Sequence, residues 1–406
     1  MQPVMNSIVI SLGGLRVHYL GCYGGAWVET PAFDRFASEG FVFDECFVES
    51  TSSAVTRQAW WTGCYQNFRT TGEPARTDTG NSCLIRALRS AEIRTVLVRD
   101  SHALVESPHA DVAAFDQIVE IDRTDGDSAV RVFDAARQWL QREASKGCFL
   151  LCMDCYGAHP PWYPPEVSDD SDAELEENEA EPEVIDDADD NVEIDSSAAH
   201  ESAEPDDAAD RARHAYASVV AHLDSELGSF LDFVRGRPEW EQSLVVITSD
   251  CGANLEGQDA ATPDRTFLHE GRTHVPLLVR MPGVHDPASR SSALVQPVDL
   301  MPTVCDAFGV AVPPGVYGRS LLPIVRLQTR CVRDHALIAD AGRGWSIRTP
   351  AWHLILPIPE IGSETPAESR LFVKPDDRWN RNDVAKQYPD VAEQLERRLR
   401  ADIDAP

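Results

Sequence analysis

No apolar run in this 406-residue chain approaches the ~18–20 residues of a bilayer-spanning helix, so no membrane-crossing helix is expected within it. Basic residues are scarce, with 36 Lys and Arg against 67 Asp and Glu and a net charge of −31. Phosphate contacts require a basic surface, so nucleic-acid binding is not expected. The segment Met1-Gln2-Pro3-Val4-Met5-Asn6-Ser7 has neither a basic start nor a separate apolar stretch with a cleavage site, from which a cytoplasmic location is expected. The ten cysteines are scattered through apolar segments, which excludes a small disulfide framework and predicts reduced, mostly buried thiols. Cys152-Met153-Asp154-Cys155 has no second CxxC to complete a four-cysteine metal site, so it reads as part of a buried strand.

What is present in excess is negative charge in one place. From Asp169 to Asp210 there are 20 Asp or Glu and no Lys or Arg. With its Ser, Ala and Pro and few aromatics, Ser168 to Asp210 cannot bury enough apolar surface to fold alone, and it predicts a disordered surface insertion. Such a segment suits a solvated loop, weak cation binding or docking to a basic protein partner.

Elsewhere apolar strand-like runs alternate with helical patterns. Strands are expected at 7–12, 94–98, 148–153 and 244–248, and helices at about 31–39, 53–62, 81–90, 127–143 and 211–234. That alternation predicts an α/β fold with a mostly parallel sheet flanked by helices. The helix at 31 has a start signal, because Thr30 is suited to capping free N–H groups and Pro31 to the first helical position.

An ordered series of short stretches says more. Ile8 to Leu12 runs into Gly13-Gly14-Leu15-Arg16, then Leu20-Gly21-Cys22-Tyr23-Gly24, Thr30-Pro31 and Ser53-Ala54-Val55-Thr56-Arg57 up to Thr62-Gly63. Later come Leu223-Asp224, Val246-Ile247-Thr248-Ser249-Asp250-Cys251-Gly252, the segment Glu270 to Gly283, Val298-Asp299-Leu300-Met301-Pro302-Thr303 and Gly318-Arg319-Ser320. The series resembles the sulfatases, within the alkaline-phosphatase superfamily. The resemblance implies a sulfatase-like α/β domain over residues 1–330, interrupted by the acidic insertion at 168–210, and a small C-terminal α+β subdomain over 331–406. It also implies sulfuric ester hydrolysis assisted by a bound calcium.

The resemblance assigns site residues, and several depart from the family pattern. Two adjacent aspartates that hold the cation in the family are here Gly13 and Gly14, and glycine supplies no side-chain oxygen. The remaining metal positions are Asp250 and Cys251, where a thiol suits zinc or copper better than calcium. A zinc site from Asp250, Cys251 and a neighbouring histidine such as His269 or His274 is an open alternative. Ser53 falls at the position of the oxidised nucleophile, with Val55 where proline is expected; a plain hydroxyl nucleophile or a helix N-cap are its other readings. Arg57 is assigned to an anion oxygen. His102 and His159 match histidines that meet the substrate or leaving group, Asp100 replaces a substrate lysine, and Arg265 replaces a later one. No cofactor is expected to be held. The leading expectation is a sulfatase-like pseudoenzyme that takes a small anionic or sulfated ligand. An active phosphate or sulfate ester hydrolase using Ser53 and a rebuilt metal site, or an interaction module with an acidic docking loop, are the alternatives.

Overall fold

The computed structural model describes residues 6–65, 84–100, 114–122, 127–160, 162, 205–255, 267–284, 288–340, 342–358 and 368–403. His102, Arg265, Cys83 and most of the acidic segment lie outside the described residues. No helix among those described is long and apolar enough to cross a membrane.

Eight strands form the main sheet: β1 (Asn6–Leu12), β2 (Phe41–Cys46), β3 (Arg94–Asp100), β4 (Gln117–Ile121), β5 (Phe149–Cys155), β6 (Ser243–Thr248), β7 (Leu277–Arg280) and β8 (Ser289–Val295), in the order β4-β3-β5-β1-β6-β7-β2-β8. All neighbours are parallel except β7, which runs antiparallel to β6 and β2. The fold is thus α/β with a mixed, mostly parallel sheet. Strand β1 is buried along its whole length because helices cover both faces. Ile8, Ile10 and Leu12 point into one core, with α1 (Pro31–Glu39) and two long helices, α4 (Ser128–Glu143) and α5 (Pro205–Arg235). Val9 points into the other, with α2 (Ser53–Thr62), α3 (Leu84–Ser90) and a later helix, Leu300–Phe308.

Two expectations about helix ends need correction. The Thr30 side chain does not cap α1; its Oγ1 accepts from the Gly21 N–H at 2.8 Å. The free amides of Ala32 and Phe33 donate instead to the Asp224 carboxylate of α5, at 3.0–3.1 Å. A full negative charge at the positive end of the helix does what the hydroxyl was expected to do, and it ties α1 to α5. The second correction concerns α5, which begins at Pro205, inside the stretch expected to be disordered to Asp210. The helix is already turning through residues 206 and 207.

A four-stranded antiparallel sheet follows, β12-β11-β10-β9, from β9 (Ala336–Asp340), β10 (Gly344–Arg348), β11 (Trp352–Pro357) and β12 (Arg370–Val373), with the closing helix Pro389–Ile403 against it. It touches the main unit beside α2. Ala339 N–H donates to Glu49 O at 2.8 Å, and Gln296 Nε2 donates to Leu337 O at 2.9 Å. The Thr56 hydroxyl then donates to Ser50 O at 3.0 Å, so the second sheet helps to hold the start of α2 where the candidate site lies.

Candidate active site

The parallel strands β5, β1 and β6 end side by side, and the chain continues from each into a turn that carries a polar group. Ligands bind at such carboxyl ends in open α/β sheets. After β1 come Gly13 and Gly14, after β5 the turn to His159, and after β6 Ser249, Asp250 and Cys251. Backbone bonds lock the three turns together: Gly13 N–H donates to Cys155 O at 2.8 Å, Ala158 N–H to Gly13 O at 2.9 Å and Ala253 N–H to Gly14 O at 3.0 Å.

Asp250 is fully buried at the centre. Its Oδ1 accepts from the backbone N–H of Gly14 at 3.0 Å and of Cys251 at 2.7 Å. Its Oδ2 lies 3.0 Å from Arg57 Nη2, and His159 Nε2 reaches both oxygens, at 3.0 and 3.1 Å. Burial alone would push this carboxyl up, but His159 and Arg57 outweigh it and hold Asp250 well below the usual carboxylate range. Asp250 is therefore ionised and ringed by donors from the protein itself.

Arg57 stands one turn into α2 and is buried. Its Nε and Nη2 make a two-pronged pair with Asp154, at 2.7 and 3.1 Å, in addition to the contact with Asp250. Nη1 is buried and has no hydrogen-bond partner among the described residues. Asp154 was not singled out from the sequence. The available signal was a carboxylate in the apolar tail of β5, where a charge needs a partner.

Ser53 is buried and is the first residue of α2, so it is not the N-cap; Ser52 holds that place and makes no side-chain cap bond. The Ser53 hydroxyl instead lies 3.4 Å from His159 Nε2 and 3.7 Å from Cys251 Sγ. This is not a serine–histidine–aspartate relay. A relay needs the carboxylate on Nδ1 and the hydroxyl on Nε2, and here Asp250 occupies Nε2. Burial first, then the charge of Asp250, push the Cys251 thiol up, so it is protonated at neutral pH.

The glycines that replace the expected aspartates are filled around. A Cβ on Gly13 would lie 2.9 Å from His159 Cδ2 and 3.2 Å from Asp250 Oδ2. Gly14 has φ +77°, and a Cβ there would lie 2.6 Å from the carbonyl of Ala158. The cluster does not suit calcium, which takes six to eight oxygens. Of the side chains assigned to the cation, only Asp250 offers oxygen, and its oxygens already accept from Arg57, His159 and two backbone amides.

The other candidates lie elsewhere. Asp100 is fully buried at the end of β3, and Arg99 donates to Glu120 on β4 at 2.8 Å. His274 bonds Asp44 O at 2.7 Å and stacks on Phe47, while His269 packs on Phe372, so neither of these joins Asp250 and Cys251. The histidine that does is His159, and its Nε2, the Cys251 sulfur and an Asp250 oxygen all lie within 4.8 Å of one another. Cys152 and Cys155 are both buried and free, and they face opposite cores, as residues three apart on a strand must.

Comparison with known proteins agrees with this architecture. Residues 5–310 match the sulfatase family model. Arylsulfatase K of Danio rerio is 30% identical over 204 residues, covering 47% of this chain and 37% of that protein. The chain thus matches little more than a third of that relative's length. N-acetylglucosamine-6-O-sulfatase of Bacteroides thetaiotaomicron is 22% identical over 390 residues, covering 78% of this chain and 70% of its own. The structure of BT4656 in complex with its substrate D-glucosamine-2-N,6-O-disulfate superposes with a TM-score of 0.70 at 18% identity, covering 98% of this chain and 97% of that one. The ordered strand ends, the shared fold and the family match over residues 5–310 together establish that this chain belongs to the sulfatase family.

Proposed function

We propose that this chain is a sulfatase-family protein in which calcium-assisted sulfuric ester hydrolysis is impaired, and which takes a small anionic ligand at the ends of β1, β5 and β6. The observation that carries the reading is the state of Asp250: the carboxylate that should hold the cation is held by Arg57, His159 and two backbone amides.

Hydrolysis of a sulfate ester needs a strong nucleophile, positive charge at the attacked oxygens and an acid for the leaving oxygen. The first two are compromised in this arrangement. The Ser53 hydroxyl lies 3.4 Å from His159 Nε2, but that nitrogen is already committed to Asp250. Arg57 is the charge available to the anion, yet it faces both Asp154 and Asp250. By the names of the relatives, the ligand class is a sulfated amino sugar or an aryl sulfate. The acidic residues 168–210 add a second proposed role, recruitment of a basic partner.

The test is an assay of aryl sulfate and aryl phosphate hydrolysis with and without calcium, alongside calcium titration of the wild type and Asp250→Ala. The expected outcome is no calcium-dependent turnover and no calcium site that disappears with Asp250. Tight, Asp250-dependent calcium binding accompanied by turnover would overturn the proposal. The competing reading is an active phosphate or sulfate ester hydrolase using Ser53 and a rebuilt metal site. It draws on one observation, the convergence of His159, Asp250 and Cys251 around the Ser53 hydroxyl.

A further inference from the structure

We infer that His159, Asp250 and Cys251, with the Ser53 hydroxyl beside the fourth position, form a site for a borderline divalent cation of the zinc type. This goes beyond the proposed loss of calcium-assisted hydrolysis, because it concerns what the altered residues have gained.

Donor chemistry comes first. The cluster offers one imidazole nitrogen, one sulfur and one carboxylate oxygen, three donors of the kinds zinc takes, with the Ser53 hydroxyl beside the fourth position. Calcium would need several more oxygens. The donors come from three separate stretches, α2 and the turns after β5 and β6, so their convergence is a product of the fold.

Geometry comes next. Zinc–nitrogen and zinc–oxygen bonds of ~2.0–2.2 Å and zinc–sulfur bonds of ~2.3 Å give a tetrahedron with edges of roughly 3.3 Å between N and O ligands and roughly 3.6 Å to sulfur. Ser53 Oγ lies 3.4 Å from His159 Nε2 and 3.7 Å from Cys251 Sγ. His159 Nε2 lies 3.0 Å from Asp250 Oδ2, and the three His, Asp and Cys donor atoms fall within 4.8 Å of one another. Closing the set around a cation thus needs at most about 1.2 Å of contraction on its longest edge, from 4.8 Å to roughly 3.6 Å.

The surroundings are built to orient these ligands. All three are buried, and Asp250 is steadied by the Gly14 and Cys251 amides and by Arg57, itself paired with Asp154. The cation enters in exchange for the thiol proton: the S–H bond of Cys251 breaks, its electron pair goes to the metal and the proton passes to solvent, while His159 offers the Nε2 electron pair of the neutral ring with the ring proton on Nδ1. No oxidant or reductant is involved. Arg57 Nη2 bridges Asp250 Oδ2 and Asp154 Oδ1, at 3.0 and 3.1 Å.

Cobalt(II) is the probe, since it takes zinc sites and reports thiolate ligation by a charge-transfer band. The reduced, chelator-treated full chain is titrated with cobalt and then challenged with zinc or excess calcium. A band that saturates at one equivalent, is abolished by zinc and survives calcium is the expected result. Cys251→Ser should remove the band, and His159→Gln should weaken zinc binding roughly tenfold or more. No band in the wild type, or a band that persists in Cys251→Ser, overturns the inference, and the wild-type result decides the matter even if a variant fails to fold. Ester hydrolysis assayed on the zinc-loaded protein separates the two proposals, because zinc binding without turnover leaves both standing and turnover overturns only the impaired-hydrolase reading.

Discussion

His159 occupies the space that a side chain at Gly13 would need: a Cβ on residue 13 would lie 2.9 Å from His159 Cδ2, and from its position the ring reaches both oxygens of Asp250. The missing aspartate and the inward histidine are therefore one arrangement.

Restoring an aspartate at position 13 should accordingly be unfavourable. Gly13→Asp is expected to destabilise the fold by about 1–3 kcal/mol through overpacking against His159. In a His159→Ala background the cost should fall by about 1 kcal/mol or more, since residues in contact couple. Urea unfolding of the two single variants and the double variant measures that coupling, and additive effects would show that the ring is not the obstacle.

Arg57 balances two buried carboxylates, so its removal should be felt in stability. Arg57→Met leaves Asp154 and Asp250 without their guanidinium and should cost about 3–5 kcal/mol. Asp250 is held well below its ordinary range, so the stability it contributes is present above the unfolded carboxylate value and is lost as pH falls through the folded one. Acid titration of the unfolding free energy should thus be steeper for the wild type than for Arg57→Met. Equal acid profiles would show that Arg57 does not set the ionisation of Asp250.

Glu49 predicts pH dependence of the opposite sign. Its carboxyl is fully buried at the seam with the second sheet and accepts from the Val298 amide, and burial pushes it from 4.5 up to about 8. Stability is then complete below the unfolded value and is lost as pH rises through the folded one, at a rate approaching about 1.4 kcal/mol per pH unit between them. Glu49→Gln should flatten this decline between about pH 5 and pH 8. Urea midpoints for both proteins across that range provide the check.

Asp224 should behave as the cap of α1 despite lying 192 residues away in sequence from Ala32. Asp224→Ala is expected to cost about 1–2 kcal/mol. Amide exchange should accelerate at Ala32 and Phe33, the groups that lose their acceptor. Unchanged exchange there would mean that another group takes over the cap.

The family and the main elements were legible in the chain because both are written in local order. Apolar runs such as Ile8 to Ile10 and Leu244 to Ile247 are continuous where a parallel strand is covered on both faces, and Pro31 and Gly63 mark helix ends through their own backbone preferences. The absence of side chains at Gly13 and Gly14 was equally plain. Partnership was not, because it depends on which strand ends lie side by side. The sequence marked Thr30 as a cap and Ser53 as a hydroxyl that could cap or react, and it passed over Asp154. The fold took the cap from Asp224 and set Ser53 among His159 and Cys251. It also paired Arg57 with Asp154. Composition and periodicity determine what each residue can offer over a few neighbours, whereas the meeting of α2 with the ends of β1, β5 and β6 is decided by burial of the whole sheet. Only that meeting made His159, rather than His269 or His274, the neighbour of Asp250.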